Sequence, residues 1–126
     1  MITRRNSTLI ASVVIAGGFL GGCVAGPKPP IYYYGSYPRT LYKLKKDPSP
    51  ASSAKHQASL EEVIKVSRDK NLRVPPGIHC EYGYLLWQKG QRSDAETQFN
   101  LEMQTYPESV VFVTLVLKTL KHEPST

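Results

Sequence analysis

Six of the ten prolines in this 126-residue chain lie between residues 27 and 50. Proline fixes φ and has no backbone N–H, so this density disfavours helices and favours extended, polyproline-like backbone. The prolines at 75, 76 and 107 instead punctuate segments with helical spacing. We therefore expect an extended Pro/Tyr-rich tether over residues 23–50 and a folded body over residues 51–126.

Residues 1–22 have the order of a secretory signal peptide. Arg4 and Arg5 precede an uncharged stretch with an apolar run from Leu9 to Leu20 that contains two glycines. A membrane-spanning helix needs about 20 apolar residues, so this run is short for a permanent anchor. We expect residues 1–22 to be removed, and retention as an uncleaved signal anchor is the alternative.

The residues Leu20, Gly21, Gly22 and Cys23 resemble the bacterial lipobox. The resemblance implies that the Cys23 thiol accepts a diacylglyceryl group and that its new amino group accepts an acyl chain such as palmitate. We expect no cofactor besides these covalently attached lipids, and several chains together give durable membrane anchoring. Val24 follows the lipobox cysteine, at the position where lipoproteins retained in the inner membrane have Asp. By this resemblance, Val24 implies that the protein is anchored at the periplasmic face of the outer membrane in a diderm bacterium.

Removal of the signal peptide lowers the net charge of the chain. The whole chain carries +6, and removal of Arg4 and Arg5 leaves +4 on residues 23–126. These charges are scattered and the protein is expected to be exported, so we do not expect nucleic acid as a partner. Cys80 then remains as the one unmodified thiol. We expect it to be a small buried residue, and an intermolecular bridge is the alternative.

Tyrosines are concentrated in the predicted tether, at positions 32, 33, 34, 37 and 42. This segment is too apolar for a solvated linker, so we expect the rings to pack against the body or the membrane interface. Stacking on a glycan or on single-stranded nucleic acid is the alternative. The cluster of Lys43, Lys45 and Lys46 is either solvated or attracted to anionic headgroups.

Apolar spacing in the body predicts an all-α fold, a small helical hairpin bundle. The second helix should end at Gly90 in a left-handed cap. A capping box at Ser59 marks one start for the first helix, and residues 54–58 are the alternative, as a backward extension of it. An N-cap at Ser93 or Asp94 should start the third helix. About four helices are expected, over approximately residues 53–71, 78–89, 94–106 and 110–120.

The second and third predicted helices carry a spaced pattern that resembles a tetratricopeptide unit. In such a unit, small residues let two helices approach closely and an aromatic ring fills the space between them. Glu102 stands where the repeat usually has alanine, so the unit is atypical. One unit cannot bury its own faces, so the flanking helices must complete the core. The hairpin-packing residues predicted from this pattern are Gly83, Leu86, Gly90, Ala95, Phe99 and Pro107.

A second resemblance covers nearly all of the mature chain. Its segments, in order, are residues 33–37 and 41–42, residues 74–79, residues 83–84, Ala95, Phe99 and residues 106–109. Together they resemble uncharacterised short Gram-negative lipoproteins, a domain of unknown function, encoded beside CsgG-like proteins. The resemblance implies a CsgG-like pore lipoprotein and a second small lipoprotein as partners. It implies no established activity.

The sequence offers no constellation of catalytic or metal-ligating residues. His56, His79 and His122 are widely separated and lack metal-ligand spacing. Neither a Gly-rich phosphate loop nor a nucleophile motif is present in the sequence. We expect His79 to cap or hydrogen-bond near the turn at residues 75–77 rather than to act in catalysis. We therefore expect neither an enzyme nor a metal site.

The last segment is more apolar than a single neighbouring helix can cover. We predict a partner surface on Phe112, Leu117 and Leu120, and the alternative is that this segment is the central helix of the core. These features together favour a non-catalytic accessory or adaptor in a periplasmic envelope assembly or secretion complex. The alternative function is a peptidoglycan- or glycan-binding module that uses the Tyr-rich segment.

Overall fold

The structure is a computed structural model that describes residue 26 and residues 28–122. The lipobox residues Leu20 to Cys23 lie outside this part of the chain. Within it the protein is all-helical, which confirms the predicted class, and five α-helices are present rather than about four. They are α1 (Tyr37–Lys46), α2 (Pro50–Asp69), α3 (Ile78–Gln88), α4 (Arg92–Thr105) and α5 (Val110–His122), with a 3-10 turn at Pro107–Ser109 before α5.

Helix α1 lies inside the segment predicted to be extended, so that prediction is wrong for residues 37–46. Pro38 stands in the first turn, where a missing N–H breaks no helical hydrogen bond. No proline follows until Pro48, and the lysines of the last turn face the negative end of the helix dipole. The packed part of the chain therefore starts well before residue 51.

Helix α2 begins at Pro50, and two serines cap its start: Ser49 just before the helix and Ser52 in its first turn. The Ser49 hydroxyl accepts from the Ser52 N–H at 3.2 Å, and the Ser52 hydroxyl accepts from the Ser49 N–H at 2.9 Å. This reciprocal pair is the capping box of the helix. The capping box predicted at Ser59 is wrong, because Ser59 is a buried mid-helix residue whose hydroxyl donates to the His56 carbonyl at 2.6 Å.

Helices α3 and α4 form a close hairpin around a glycine. A Cβ on Gly83 would lie 3.1 Å from the Ala95 carbonyl oxygen and 3.2 Å from the Phe99 ring. Ala95 and Phe99 are both fully buried, and Leu86 lies in the same apolar cluster. The small residue at position 83 thus lets the two helix backbones approach each other.

The turn between α3 and α4 is made by backbone rather than by a side-chain cap. Gly90 has a φ of +77°, the left-handed conformation that glycine adopts without strain. Helix α4 begins at Arg92 and has no side-chain cap. The N-cap predicted at Ser93 or Asp94 is wrong because both residues already lie in the first helical turn. Pro107 follows α4 and opens the 3-10 turn.

Consecutive helices pack on one another in chain order, with two apolar clusters between them. Helix α5 forms despite its β-branched residues because Val113 is fully buried, and packing outweighs propensity. Helix α1, in contrast, contributes no buried side chain. The first cluster joins α3, α4 and α5 through Cys80, Leu86, Ala95, Phe99, Val113 and Leu120. The second joins α2 to α3 through Leu60, Val63, Ile64 and Ile78.

Candidate functional site

An open apolar groove of about 640 Å³ lies between α3 and α5. Grooves of this size accept a small ligand or the side chains of one docked segment. Among the described residues that line it, Glu81 is the one that carries a charge. The other lining residues are Gly77, Cys80 and Tyr84 from the α3 side and Phe112, Leu115, Val116, Thr119 and Leu120 from α5.

The rim of this groove exposes large apolar side chains. Phe112 is 61% exposed and Leu115 is 57% exposed, and Tyr84 stands across from them on α3. Val111 is 74% exposed but does not line the groove. In the described part of the chain α5 packs on α4 and on the 3-10 turn, so one side of α5 stays uncovered. A contiguous exposed apolar surface of this kind is typical of an interaction site.

The three residues predicted as a partner surface lie in different environments. Phe112 is on the rim of the groove. Leu117 is half-buried against the cluster between α3, α4 and α5. Leu120 is 6% exposed and belongs to that cluster, so only a small part of its side chain lines the groove. The prediction is therefore corrected for Leu120, which is buried, and Leu117 is half-buried, while Leu115, which was not predicted, lies on the rim with Phe112.

A buried carboxylate from α4 fixes the end of α3 that borders the groove. Glu102 Oε1 accepts the Gly77 N–H at 2.7 Å, and Oε2 accepts the Cys80 N–H at 3.4 Å. The first N–H groups of a helix have no partners within it, and the helix dipole is positive there, so a carboxylate is stabilising. The residue that made the repeat pattern atypical is thus the N-terminal cap of α3.

A second carboxylate, Glu81 at the rim of the groove, joins α3 to α1 and α2. Its Oε1 lies 2.8 Å from His56 Nε2, and its Oε2 accepts the Tyr37 hydroxyl at 2.8 Å. Burial, and then the hydrogen bond to Glu81, raise the pKa of Tyr37, which keeps its hydroxyl protonated and donating. These polar contacts, together with the packing of the half-buried Tyr37 ring on the cluster of α2 and α3, connect α1 to the body.

His56 continues this polar chain into α1. Its Nδ1 lies 3.1 Å from Thr40 Oγ1, which in turn lies 2.7 Å from Ser59 Oγ and donates to the Tyr37 carbonyl at 3.0 Å. A hydroxyl, a histidine and a carboxylate in sequence are also the elements of a general-base relay. The His56 ring, however, is 1% exposed, so a substrate has no access to it. We interpret the chain of contacts as a connection between helices.

The tyrosines of the N-terminal segment divide into packed and exposed members. Tyr33 and Tyr37 pack against the cluster of α2 and α3. The Tyr33 hydroxyl donates to Glu62 at 2.5 Å, and this hydrogen bond raises the pKa of Tyr33. Tyr34 and Tyr42 remain exposed. The expectation that the rings pack on the body therefore holds for Tyr33 and Tyr37, while Tyr32 is half-buried with its ring edge-on to Tyr34.

His79 and Cys80 are both buried at the start of α3. His79 Nδ1 lies 2.7 Å from Gln98 Oε1, so the histidine contacts α4 and not the turn at residues 75–77. The predicted role at that turn is wrong, because Glu102 takes it. Burial, followed by the nearby Glu102 and Glu81, raises the pKa of the Cys80 thiol to about 11. Cys80 is therefore a protonated, unreactive thiol at neutral pH.

The described residues form neither a metal-binding cluster nor a membrane-spanning helix. Residues 26 and 28–122 hold no group of three or more His, Cys, Asp or Glu side chains placed to bind a metal ion. Among the same residues, none of the helices combines the length and the apolar character that crossing a membrane requires.

The matched family fits this architecture. Residues 31–116 match a domain of unknown function, DUF4810, which covers most of the chain, so the chain belongs to the DUF4810 family. The match starts before α1, in agreement with the early start of the packed part, and runs into α5. No curated protein and no solved structure matches the chain.

We predict that Glu102→Ala destabilises the fold strongly. The change leaves the buried Cys80 N–H and the partly buried Gly77 N–H without their acceptor, which costs about 1.5–3 kcal/mol of unfolding free energy. Glu96→Ala is the matched control, because Glu96 lies on the same helix and forms a surface ion pair with Lys121. It should cost less than about 1 kcal/mol. Equal losses in urea unfolding would refute the assigned cap.

Proposed function

We propose that the protein is an outer-membrane lipoprotein on the periplasmic face that acts as a non-catalytic adaptor in an envelope assembly or secretion complex. The observation that carries the proposal is the uncovered apolar groove between α3 and α5, with Phe112 and Leu115 exposed on its rim. A buried polar network and a raised thiol pKa leave the described groups without an evident reactive centre, which favours binding over catalysis.

The groove has the chemistry of a protein-binding site. Interfaces gain most of their free energy from a few aromatic and aliphatic anchors that enter apolar pockets. Burying the exposed parts of Phe112 and Leu115 is worth about 1–2 kcal/mol for each side chain. Tyr84 adds an aromatic face with a polar tip, a residue type that interfaces favour. A partner that fills the groove with apolar side chains would gain these contributions together.

The choice of partner comes from the sequence. Leu20 to Cys23 resemble a lipobox, which supports the acyl anchor and the location. The resemblance to lipoproteins encoded beside CsgG-like proteins supports a CsgG-like pore lipoprotein and a second small lipoprotein as the proteins that meet the groove. Membership of the DUF4810 family is compatible with this choice and adds no activity of its own.

The alternative, a peptidoglycan- or glycan-binding module, is favoured by the exposed rings of Tyr34 and Tyr42. Sugar rings stack on exposed aromatic faces, but the Tyr34 ring already contacts the rings of Tyr32 and Tyr37, and Lys46 Nζ lies over the Tyr42 ring. Tyr33 and Tyr37 are already packed on the body, with their hydroxyls donated to Glu62 and Glu81. The Tyr-rich segment thus keeps fewer free faces than the sequence indicated, and we place this function second.

We predict that a photo-crosslinker placed at Phe112 captures a protein partner in intact envelopes. The expected adduct contains a CsgG-like lipoprotein or the second small lipoprotein, identified by mass spectrometry. Leu115→Glu in the same chain should abolish the adduct, because it places a charge in the groove at a residue that is more than half exposed. Val111→Glu is the matched control and should retain it, since Val111 is on the same helix but outside the groove.

Two results would contradict the adaptor proposal. One is equal adduct formation in the Leu115→Glu and Val111→Glu chains, and the other is an adduct pattern at Phe112 that matches a crosslinker at Lys65 on α2. Leu117 is unsuitable for this test, because it packs against the core and its substitution by Glu would disturb the fold itself. Retention of the wild-type chain on isolated peptidoglycan, with no protein adduct, would favour the glycan module instead.

The lipid anchor has a separate test. Cys23→Ala should abolish incorporation of a labelled fatty acid and leave the precursor uncut, because the thiol that receives the diacylglyceryl group is gone. Cys80→Ala is the matched control and should label like the wild type, since Cys80 is buried in the body. Normal acyl labelling of the Cys23→Ala chain would refute the assigned anchor.

A further inference from the structure

A basic surface surrounds the exposed ring of Tyr42 on the outer face of α1. Arg39, Tyr42 and Lys43 from α1 and Lys55 from α2 line a shallow pocket of about 380 Å³. Lys46 Nζ lies 5.9 Å from the centre of the Tyr42 ring, which adds a fourth cation. Tyr42 is 66% exposed. We call these five residues the α1 basic surface.

Few carboxylates neutralise this surface. Lys43 Nζ forms an ion pair with Asp47 at 2.8 Å, one turn further along the chain. Among the described residues, Arg39, Lys46 and Lys55 have no ion-pair partner. Helix α1 itself contains no acidic residue. The α1 basic surface therefore presents three uncompensated positive charges around one aromatic ring.

The start of the packed chain lies close to the proposed anchor. Tyr33 is held on α2 by Glu62 and by packing, so the linker between Cys23 and the body is nine residues long rather than a tether that extends to residue 50. The ten Cα–Cα steps from Cys23 to Tyr33 span at most about 35 Å when fully extended. Helix α1 begins four residues after Tyr33. The body is thus confined to the neighbourhood of the bilayer surface, and α1 is the helix nearest to the anchor along the chain.

We propose that the α1 basic surface docks on the anionic phospholipid headgroups of the membrane to which the chain is anchored. The cations meet the lipid phosphates, and Tyr42 enters the interfacial region with its ring toward the acyl chains and its hydroxyl toward water. Tyrosine is favoured at that depth, and lysines and arginines near an anionic surface each strengthen the contact about fivefold. The groove between α3 and α5 is a separate surface and remains available to a protein.

The proposal rests on the membrane anchor but not on the adaptor function. With one contact at the N-terminal linker and a second at α1, the body is held in one orientation rather than rotating on the linker. Because the contact is electrostatic, high salt should weaken it.

The test places an environment-sensitive fluorophore beside the α1 basic surface in the full anchored chain. Ala51→Cys is the labelling site, because residue 51 is exposed and lies one helical turn before Lys55. Cys23 is acylated and Cys80 is buried, so the new thiol reacts selectively. The chain is reconstituted in vesicles of phosphatidylcholine alone or of phosphatidylcholine mixed with phosphatidylglycerol. We expect emission at shorter wavelength in the anionic vesicles at low salt, and loss of that shift at high salt.

Two triple variants separate the surface from net charge. Arg39→Gln, Lys46→Gln and Lys55→Gln together should weaken the contact about a hundredfold, at about fivefold per charge, and abolish the shift. Lys65→Gln, Lys89→Gln and Lys118→Gln remove the same charge from exposed sites elsewhere and should retain the shift. Helix content by circular dichroism verifies that both chains fold. If the first triple variant fails to fold, the proposal is tested by the dependence of the emission on anionic lipid and on salt in the chain that keeps Arg39, Lys46 and Lys55.

Three results would overturn the proposal. They are identical emission in both kinds of vesicle, a shift that persists at high salt, and equal loss of the shift in both triple variants. The last would mean that overall charge, and not the α1 basic surface, meets the membrane. None of these results bears on the crosslinking at Phe112. The measurement also reads the same whether the anchor is an acyl chain or a retained N-terminal segment.

Discussion

Helices α1, α2 and α3 meet at the carboxylate of Glu81. One oxygen contacts the buried His56 of α2 and the other accepts the hydroxyl of Tyr37 from α1, both at 2.8 Å. Hydrogen bonds to charged groups contribute about 1.5–3 kcal/mol each, more than neutral ones. Since no side chain of α1 is fully buried, this junction, together with the packing of the Tyr37 ring, fixes α1 and the linker before it to the body.

The position of α3 depends on two carboxylates that act at different sides of the helix. Glu102 from α4 holds its first N–H groups, and Glu81 ties its first turn to α1 and α2. Gly83 then allows α4 to lie close against α3. With α3 fixed in this way, the uncovered side of α5 faces it across an apolar groove. The groove thus follows from a chain-ordered stack of helices in which the last described helix has a neighbour on one side.

The spacing of apolar residues is sufficient to predict the helices of the body, but contacts between residues far apart in the chain cannot be predicted from the sequence. The proline density of residues 23–50 does not reveal helix α1, because the position of a proline matters more than its frequency. Pro38 stands at the start of α1, where helices tolerate proline. The side of α5 that is buried could not be predicted, because nearly every position is apolar and contact with Phe99 selects the face. Glu102 was visible as a departure from the repeat pattern, yet its role as a cap depends on Gly77, 25 residues earlier.

Native-state hydrogen exchange in a Glu81→Ala chain tests most directly whether this carboxylate holds α1 to the body. We predict that the amides of α1 exchange at least about tenfold faster than in the wild type, which corresponds to about 1.4 kcal/mol, while those of α4 change little. Glu61→Ala is the matched control, because Glu61 also accepts a tyrosine hydroxyl, from Tyr82, but at the surface. Unchanged exchange in α1, or equal acceleration in α1 and α4, would contradict the account.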